Sequence, residues 1–168
     1  MTTEGPSGGP GFLWVLDEHI ASQHPASAIA SHVGAGCNPV RVVISPNGDV
    51  AWVTARASDV LIGFSTADLL TQPSRALKAV VRVGLEPVGL AVYDGGRYAV
   101  IANSARFRTP GMPRNLTVVD LQAALAGRAA IVAWIGAGSF PREVASDGAV
   151  GLVTNFDSNT VEAFRLPS

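Results

Sequence analysis

The chain repeats itself at a spacing of about 50 residues, and this repetition limits what it can fold into more than any other feature. Three segments align: CNPVRVVISPNGDVAWVTA from Cys37, LEPVGLAVYDGGRYAVIAN from Leu85 and SFPREVASDGAVGLVTN from Ser139. The alignment brings three prolines and three glycines into register: Pro39, Pro87, Pro141, Gly48, Gly96 and Gly148. A period of this length is typical of a propeller blade or of a helical repeat.

The residue pattern within each repeat favours strands. Residues 40–45 and 50–54 are rich in β-branched side chains, and the Pro46-Asn47-Gly48 segment between them is typical of a hairpin turn. A third apolar segment follows each hairpin, and a fourth follows in the first two copies. Short helical turns are predicted between the third and fourth strands, at residues 66–70 and 121–126.

Four antiparallel strands in each repeat predict an all-β fold, a β-propeller of four-stranded antiparallel blades. About three and a quarter blades are expected. They divide the chain into a half blade at residues 12–36, blades at 37–84 and 85–138, and an incomplete blade at 139–168. Closed propellers use at least about four blades, so we expect the ring to be completed by upstream blades or by self-association.

Composition excludes several classes of protein. The net charge of −1 argues against a nucleic-acid partner, and the single cysteine excludes a disulfide framework. The longest uncharged apolar stretch, residues 129–140, is too short for membrane insertion, since a spanning helix needs about 20 residues. Residues 1–11 lack the features of a signal peptide, and their Gly, Pro and Ser predict a flexible leader. A soluble domain is expected, in a compartment that the chain does not specify.

The motifs resemble the YVTN-type β-propeller repeat of the lactonase-like family, which is related to 6-phosphogluconolactonase. The likeness rests on SPNG followed by AWVT, and on GLVTN followed by DSNTV. Trp52, Val100 and Leu152 occupy the place of the usual tyrosine, and we expect them to be equivalent core positions between blades. The resemblance implies an enzyme, a cofactor carrier or an adhesion module. It also implies a partial propeller, either a C-terminal half or a half-length version that must associate, and an exported or cell-surface location if an upstream part is missing.

No complete catalytic or metal-binding motif is present. Asp17, His19 and His24 lie close together, but no further ligands support a zinc site, so we expect a polar loop there and no metal. The chain has no nucleophile elbow, and its Gly-Ala-Gly pairs lack the further glycines of a dinucleotide loop. No cofactor is predicted.

Candidate site residues follow from the propeller geometry. The first strand of each blade lines the central channel, which places Arg41, Arg142 and Glu143 at the channel. Guanidinium groups there would bind carboxylates or phosphates, and Glu143 beside Arg142 is a weak candidate for a general base. The alternative is that these are hydrogen-bonded structural residues.

Further candidates lie where the second strands end and in one long loop. Arg56, Asn103 and Asn155 mark the strand ends. The insertion at residues 104–114 breaks the repeat and carries Arg106 and Arg108 as candidate ligand-binding residues. An ordinary solvated loop is the alternative for this insertion.

Two functional hypotheses remain open. The first is a non-catalytic binding module that presents its channel mouth and loops to a small anionic ligand or a protein partner. The second is a lactonase-like hydrolase acting on a lactone or a sugar-derived ester, which rests on the resemblance and on the Arg142–Glu143 pair.

Overall fold

The computed structural model describes residues 1–107, 111–147 and 150–166. Arg108 and Gly148 lie outside the described residues. The described strands are β1 (Thr2–Thr3), β2 (Pro10–Leu16), β3 (Ile29–Cys37), β4 (Pro39–Ile44), β5 (Val50–Ala55), β6 (Val60–Ser65), β7 (Leu77–Arg82), β8 (Pro87–Tyr93), β9 (Tyr98–Asn103), β10 (Asn115–Asp120), β11 (Ile131–Gly136), β12 (Pro141–Ser146), β13 (Val150–Asn155) and β14 (Thr160–Arg165). The described helices are α1 (Glu18–Gln23), α2 (Thr66–Thr71) and α3 (Leu121–Leu125).

The strands form four antiparallel sheets in chain order. The first sheet is β1-β2-β3, the second β4-β5-β6-β7, the third β8-β9-β10-β11 and the last β12-β13-β14. Strand β4 contacts β8, and β8 contacts β12, so the first strands of successive sheets lie side by side. This arrangement confirms the predicted all-β fold and places those strands around one axis.

The repeat alignment recurs in the strand register. Pairing of first and second strands opposes Pro39 to Ala55, Pro87 to Asn103, and Pro141 to Asn155. Each pair is followed by a shift of register in the first strand. Every first strand therefore begins beside the end of its second strand, which brings both kinds of loop to one end of the molecule.

A short helix precedes the last strand of each of the first three sheets. Asp17, Ser65 and Asp120 cap the three helices, each side chain accepting a hydrogen bond from a backbone N–H three residues later, at 2.8–3.2 Å. Helices α2 and α3 lie where helical turns were predicted. Helix α1 replaces the expected polar loop around His19, because the Asp17 cap supplies the helix start that the other copies also have.

Residues 1–11 differ from the expected flexible leader. Thr2 and Thr3 pair with Leu13 and Phe12, and the terminal amino group of Met1 donates to the Trp14 carbonyl oxygen at 3.0 Å. The first sheet therefore has three strands instead of the predicted two, because β2 offers an open edge whose backbone groups the chain start can satisfy.

Apolar side chains pack between neighbouring sheets in three clusters. Trp52 and Leu61 of the second sheet pack with Ile101 of the third, and Val100 packs with Val153 of the last sheet. Trp52 and Val100 are 1% and 0% exposed, as an inter-sheet core position requires. Leu152 is 48% exposed, so the prediction of three equivalent buried positions is wrong for this residue. No sheet within the described ranges covers its side of the last sheet.

We predict that Trp52→Ala lowers the free energy of unfolding by about 3–5 kcal/mol, because it leaves a cavity between the second and third sheets. Ile44→Ala is the control, since Ile44 is 51% exposed in the same sheet and should lose less than about 1 kcal/mol. Urea denaturation followed by tryptophan fluorescence and circular dichroism measures both. Equal losses in the two variants would contradict the assigned packing.

Candidate ligand-binding face at the channel mouth

The residue before each aligned proline has a left-handed backbone. Asn38, Glu86 and Phe140 have φ values of 48°, 53° and 54°, which are uncommon for residues other than glycine. Their carbonyl oxygens accept hydrogen bonds from equivalent N–H groups at the ends of the second strands, at 2.9–3.0 Å: those of Arg56, Ser104 and Phe156. This turn carries the chain from one sheet to the next and aims three side chains at the same end of the propeller.

Each of these side chains contacts the loop that follows the second strand of its own sheet. With its amide oriented to satisfy both neighbours, Asn38 accepts from Arg56 Nη2 at 2.8 Å. Glu86 Oε2 accepts from the N–H of Phe107 at 2.8 Å. The Phe140 ring lies 5.6 Å from that of Phe156, edge to face. One backbone position therefore anchors three loops by three different interactions.

These loops bring arginine and phenylalanine side chains together in alternation. The set, which we call the Arg–Phe row, is Arg56, Phe107, Arg106, Phe140, Arg142 and Phe156. Successive guanidinium carbons and ring centroids are 4.6–5.9 Å apart, within the range of cation–π attraction. Three arginines from three separate sequence motifs thus meet at one face.

The arginines of the row differ in how their charge is balanced. Arg56 lies 3.3 Å from Glu4 Oε2, so a carboxylate already neutralises it. For Arg106 and Arg142, no carboxylate within the described ranges approaches to 4.0 Å. Both guanidinium groups face the ring of Phe140, at 4.6 and 5.9 Å from its centroid. This part of the face therefore carries two positive charges close together.

The aromatic members differ in exposure. Phe140 is 5% exposed and forms the base of the row, whereas Phe107 and Phe156 are 65% and 55% exposed. Large aromatic rings left in water, beside cations without a carboxylate partner among the described residues, offer both apolar contact and charge to a ligand. Such a surface suits an anion that carries a ring or another flat apolar part.

A second polar contact lies on the first strands themselves. Arg41 of β4 forms an ion pair with Glu143 of β12, across the intervening strand β8. The β8 residue at the equivalent position is Gly89, where an added Cβ would lie 2.6 Å from the Arg142 carbonyl oxygen. The absence of a side chain at Gly89 lets β12 approach β8 closely. Arg41 and Glu143 are about half exposed, at 41% and 48%, so a ligand could reach them.

The two candidate asparagines lie below this surface. Asn103 is fully buried, and its Nδ2 donates to Asn115 Oδ1 at 2.8 Å and to Thr117 Oγ1 at 2.7 Å. Asn155 is 1% exposed and donates to Thr160 Oγ1 at 3.1 Å. These contacts tie the end of a second strand to the start of the third, so neither side chain belongs to the accessible face.

The structure thus collects Arg56, Arg106 and Arg142 in one row and pairs Arg41 with Glu143 nearby. Sequence reasoning missed the contribution of Phe140 and Phe156 to this face. The signal was present, because Phe140 immediately precedes an aligned proline and Phe156 immediately follows an aligned strand end. In the ranges 1–107, 111–147 and 150–166, no group of three His, Cys, Asp or Glu side chains could hold a metal ion. No helix in that part of the chain is long and apolar enough to cross a bilayer.

Comparison with known proteins gives matches at the level of structure alone. No family model matches the sequence, and no curated protein sequence matches it. A putative 6-phosphogluconolactonase from Bacteroides fragilis superposes with a TM-score of 0.71 at 13% identity, covering 99% of this chain and 50% of that one.

Two further structures match over the same extent. The periplasmic gluconolactonase of Pseudomonas aeruginosa gives a TM-score of 0.62 at 18% identity, covering 99% of this chain and 49% of that chain. The β-propeller domain of Cps50 (Swd1) from Myceliophteria thermophila gives 0.65 at 12% identity, covering 99% and 52%. The chain therefore spans about half the length of these propellers. At such identities the likeness is one of fold.

We predict that Gly89→Ala destabilises the fold by about 1–3 kcal/mol, because the new methyl group would push β12 away from β8. Gly136→Ala is a matched control, since a Cβ there meets nothing within 4 Å in the described structure. Urea denaturation of the two variants provides the comparison. A Gly89→Ala variant as stable as the control would mean that the first strands do not approach as closely as described.

Proposed function

We propose that this chain is a ligand-binding β-propeller module whose channel-mouth face takes a small anionic ligand, of the carboxylate or phosphate class. The observation that carries the proposal is the pair of guanidinium groups of Arg106 and Arg142 over one buried ring, without a carboxylate partner in the described structure. Guanidinium groups bind such anions through paired hydrogen bonds.

The Phe140 ring helps to position the two cations. A guanidinium stacked on a ring keeps its N–H edge available, because the cation–π contact uses its face. The two groups lie within about 10.5 Å of each other, since both are held to the same centroid. An anion of sugar size could contact both groups while its ring packs on the exposed Phe107 or Phe156.

We expect Arg142→Gln and Arg106→Gln to weaken binding of 6-phosphogluconate about 10- to 100-fold each, because each removes a charged hydrogen bond. Calorimetric titration of the ligand into the folded protein measures this effect. Arg97→Gln is the matched control, since Arg97 stacks on Tyr98 at 4.7 Å but precedes β9 at the other end of that strand. Affinity should also fall as salt is raised. Binding that is unchanged in both row variants would contradict the proposal.

A second candidate function is lactone hydrolysis, which the Arg41–Glu143 pair in the channel favours. In such a reaction Glu143 would take a proton from water as the resulting hydroxide attacks the lactone carbonyl carbon, and a guanidinium would stabilise the oxyanion. Breaking the ring C–O bond would then release the hydroxy acid, with the proton passing to the leaving oxygen. The names of two structural neighbours, a putative 6-phosphogluconolactonase and a periplasmic gluconolactonase, support testing this substrate class.

The hydrolase hypothesis predicts turnover of gluconolactone. Glu143→Gln should abolish this turnover, whereas Glu18→Gln should leave it unchanged, because Glu18 is an exposed carboxylate on α1. A pH-indicator assay detects the acid released, with the spontaneous hydrolysis of the lactone subtracted. Turnover lost only in Glu143→Gln would establish the hydrolase and replace the binding module as the function. Binding of 6-phosphogluconate without turnover would reject the hydrolase.

A further inference from the structure

The two end sheets carry side chains on their outer sides that no other sheet of the described structure covers. On the first sheet these are the exposed Phe12 and His32 and the half-buried Trp14, whose rings lie 4.7–5.9 Å apart; we call this the leading face. On the last sheet they are Val150, Leu152 and Val161, which are 41%, 48% and 66% exposed; we call this the trailing face. The opposite sides of both sheets pack against a neighbouring sheet.

Equivalent positions inside the molecule are buried by sheet-on-sheet packing. In the repeat, Leu152 of the trailing face corresponds to Trp52 and Val100, which are 1% and 0% exposed. Trp14 of the leading face corresponds to Ile62, which is 6% exposed and packs toward the first sheet. Leu152 on one end face and Trp14 on the other thus occupy positions that the interior sheets bury against the next sheet.

The extent of the structural matches suggests one way to cover them. In the three structural matches described above, 99% of this chain superposes on 49–52% of the neighbour's chain. Two copies of this chain therefore supply about one neighbour's length. In a propeller each blade packs both faces, and the arc closes when its last blade meets its first.

We propose that two copies of this chain close one ring, with the trailing face of each copy packed on the leading face of the other. The two contacts are identical and related by a 180° rotation about the channel axis. Head-to-tail contacts form a closed ring when the rotations from copy to copy add up to a full turn, and they form a filament when they do not. Since each copy matches about half of a neighbour's chain, two copies are the number expected to close the ring.

The arrangement has a consequence for the channel. A rotation about the channel axis keeps the same end of both copies on the same side, so two Arg–Phe rows would lie on one rim. The inference does not depend on what these rows bind, because it rests on the outer sides of the end sheets.

Light scattering coupled to size-exclusion chromatography tests the proposal on the full chain. We expect a mass of twice 17.3 kDa, without larger assemblies. Leu152→Asp and Phe12→Asp should each halve the mass, because each places a charge in both contacts of the ring. Val80→Asp should leave the mass unchanged, since Val80 is 58% exposed on β7 of the second sheet and borders the third sheet, away from both faces. Circular dichroism verifies that each variant is folded.

Mixing the two face variants tests the head-to-tail geometry. The intact trailing face of Phe12→Asp can pack on the intact leading face of Leu152→Asp, so the mixture should recover the two-copy mass that neither variant has alone. A monomeric wild type, as expected if further blades or another protein cover the faces, would overturn the proposal. A Phe12→Asp variant that stays dimeric would also overturn it, because the trailing faces would then pack on each other. Filaments that form as the protein concentration rises would overturn it as well.

Discussion

Burial of both faces of a sheet is the constraint on which this structure depends. Strand β9 is buried at every position, because its sheet lies between two others. The equivalent strand β13 alternates between exposed and buried residues, although Val150 and Leu152 are no less apolar than the side chains they replace. The difference comes from the neighbours of the strand and not from its own composition. A stack of such sheets gains stability at each junction, much as other repeat proteins do.

The same packing explains the conformation of the loops. Adjacent first strands lie close enough for Gly89 to contact the backbone of Arg142, so the connections between sheets must turn sharply. The left-handed residue before each proline makes this turn, and its carbonyl oxygen accepts a hydrogen bond from the backbone N–H at the end of the second strand. Because the backbone is fixed in this way, the side chains of the loops are held at one end of the molecule. The Arg–Phe row therefore results from the way in which the connections between blades are folded.

The fold could be predicted from the sequence because the repeat places prolines, glycines and β-branched residues at matching points. Those features act locally, and the register of Pro39, Pro87 and Pro141 in the structure follows them. The contacts of the candidate arginines could not be predicted in the same way. Arg56, Arg106 and Arg142 lie in three different motifs, and their meeting depends on how far each side chain reaches over Phe140. The exposure of Leu152 escaped prediction for a related reason, since burial there depends on a neighbour and not on the residue.

The position before each aligned proline shows how such a scaffold can acquire new chemistry. It holds an amide in one repeat, a carboxylate in the next and an aromatic ring in the third, while the backbone around it stays the same. Because the turn itself depends on main-chain hydrogen bonds, side chains of different chemistry can occupy it, and each of the three anchors its loop by its own interaction. A propeller built on this turn therefore has one variable side chain per blade at the same end of the molecule. Exchanging the residue at this position therefore keeps the turn but changes how the adjoining loop is held, and with it the side chains that the loop presents.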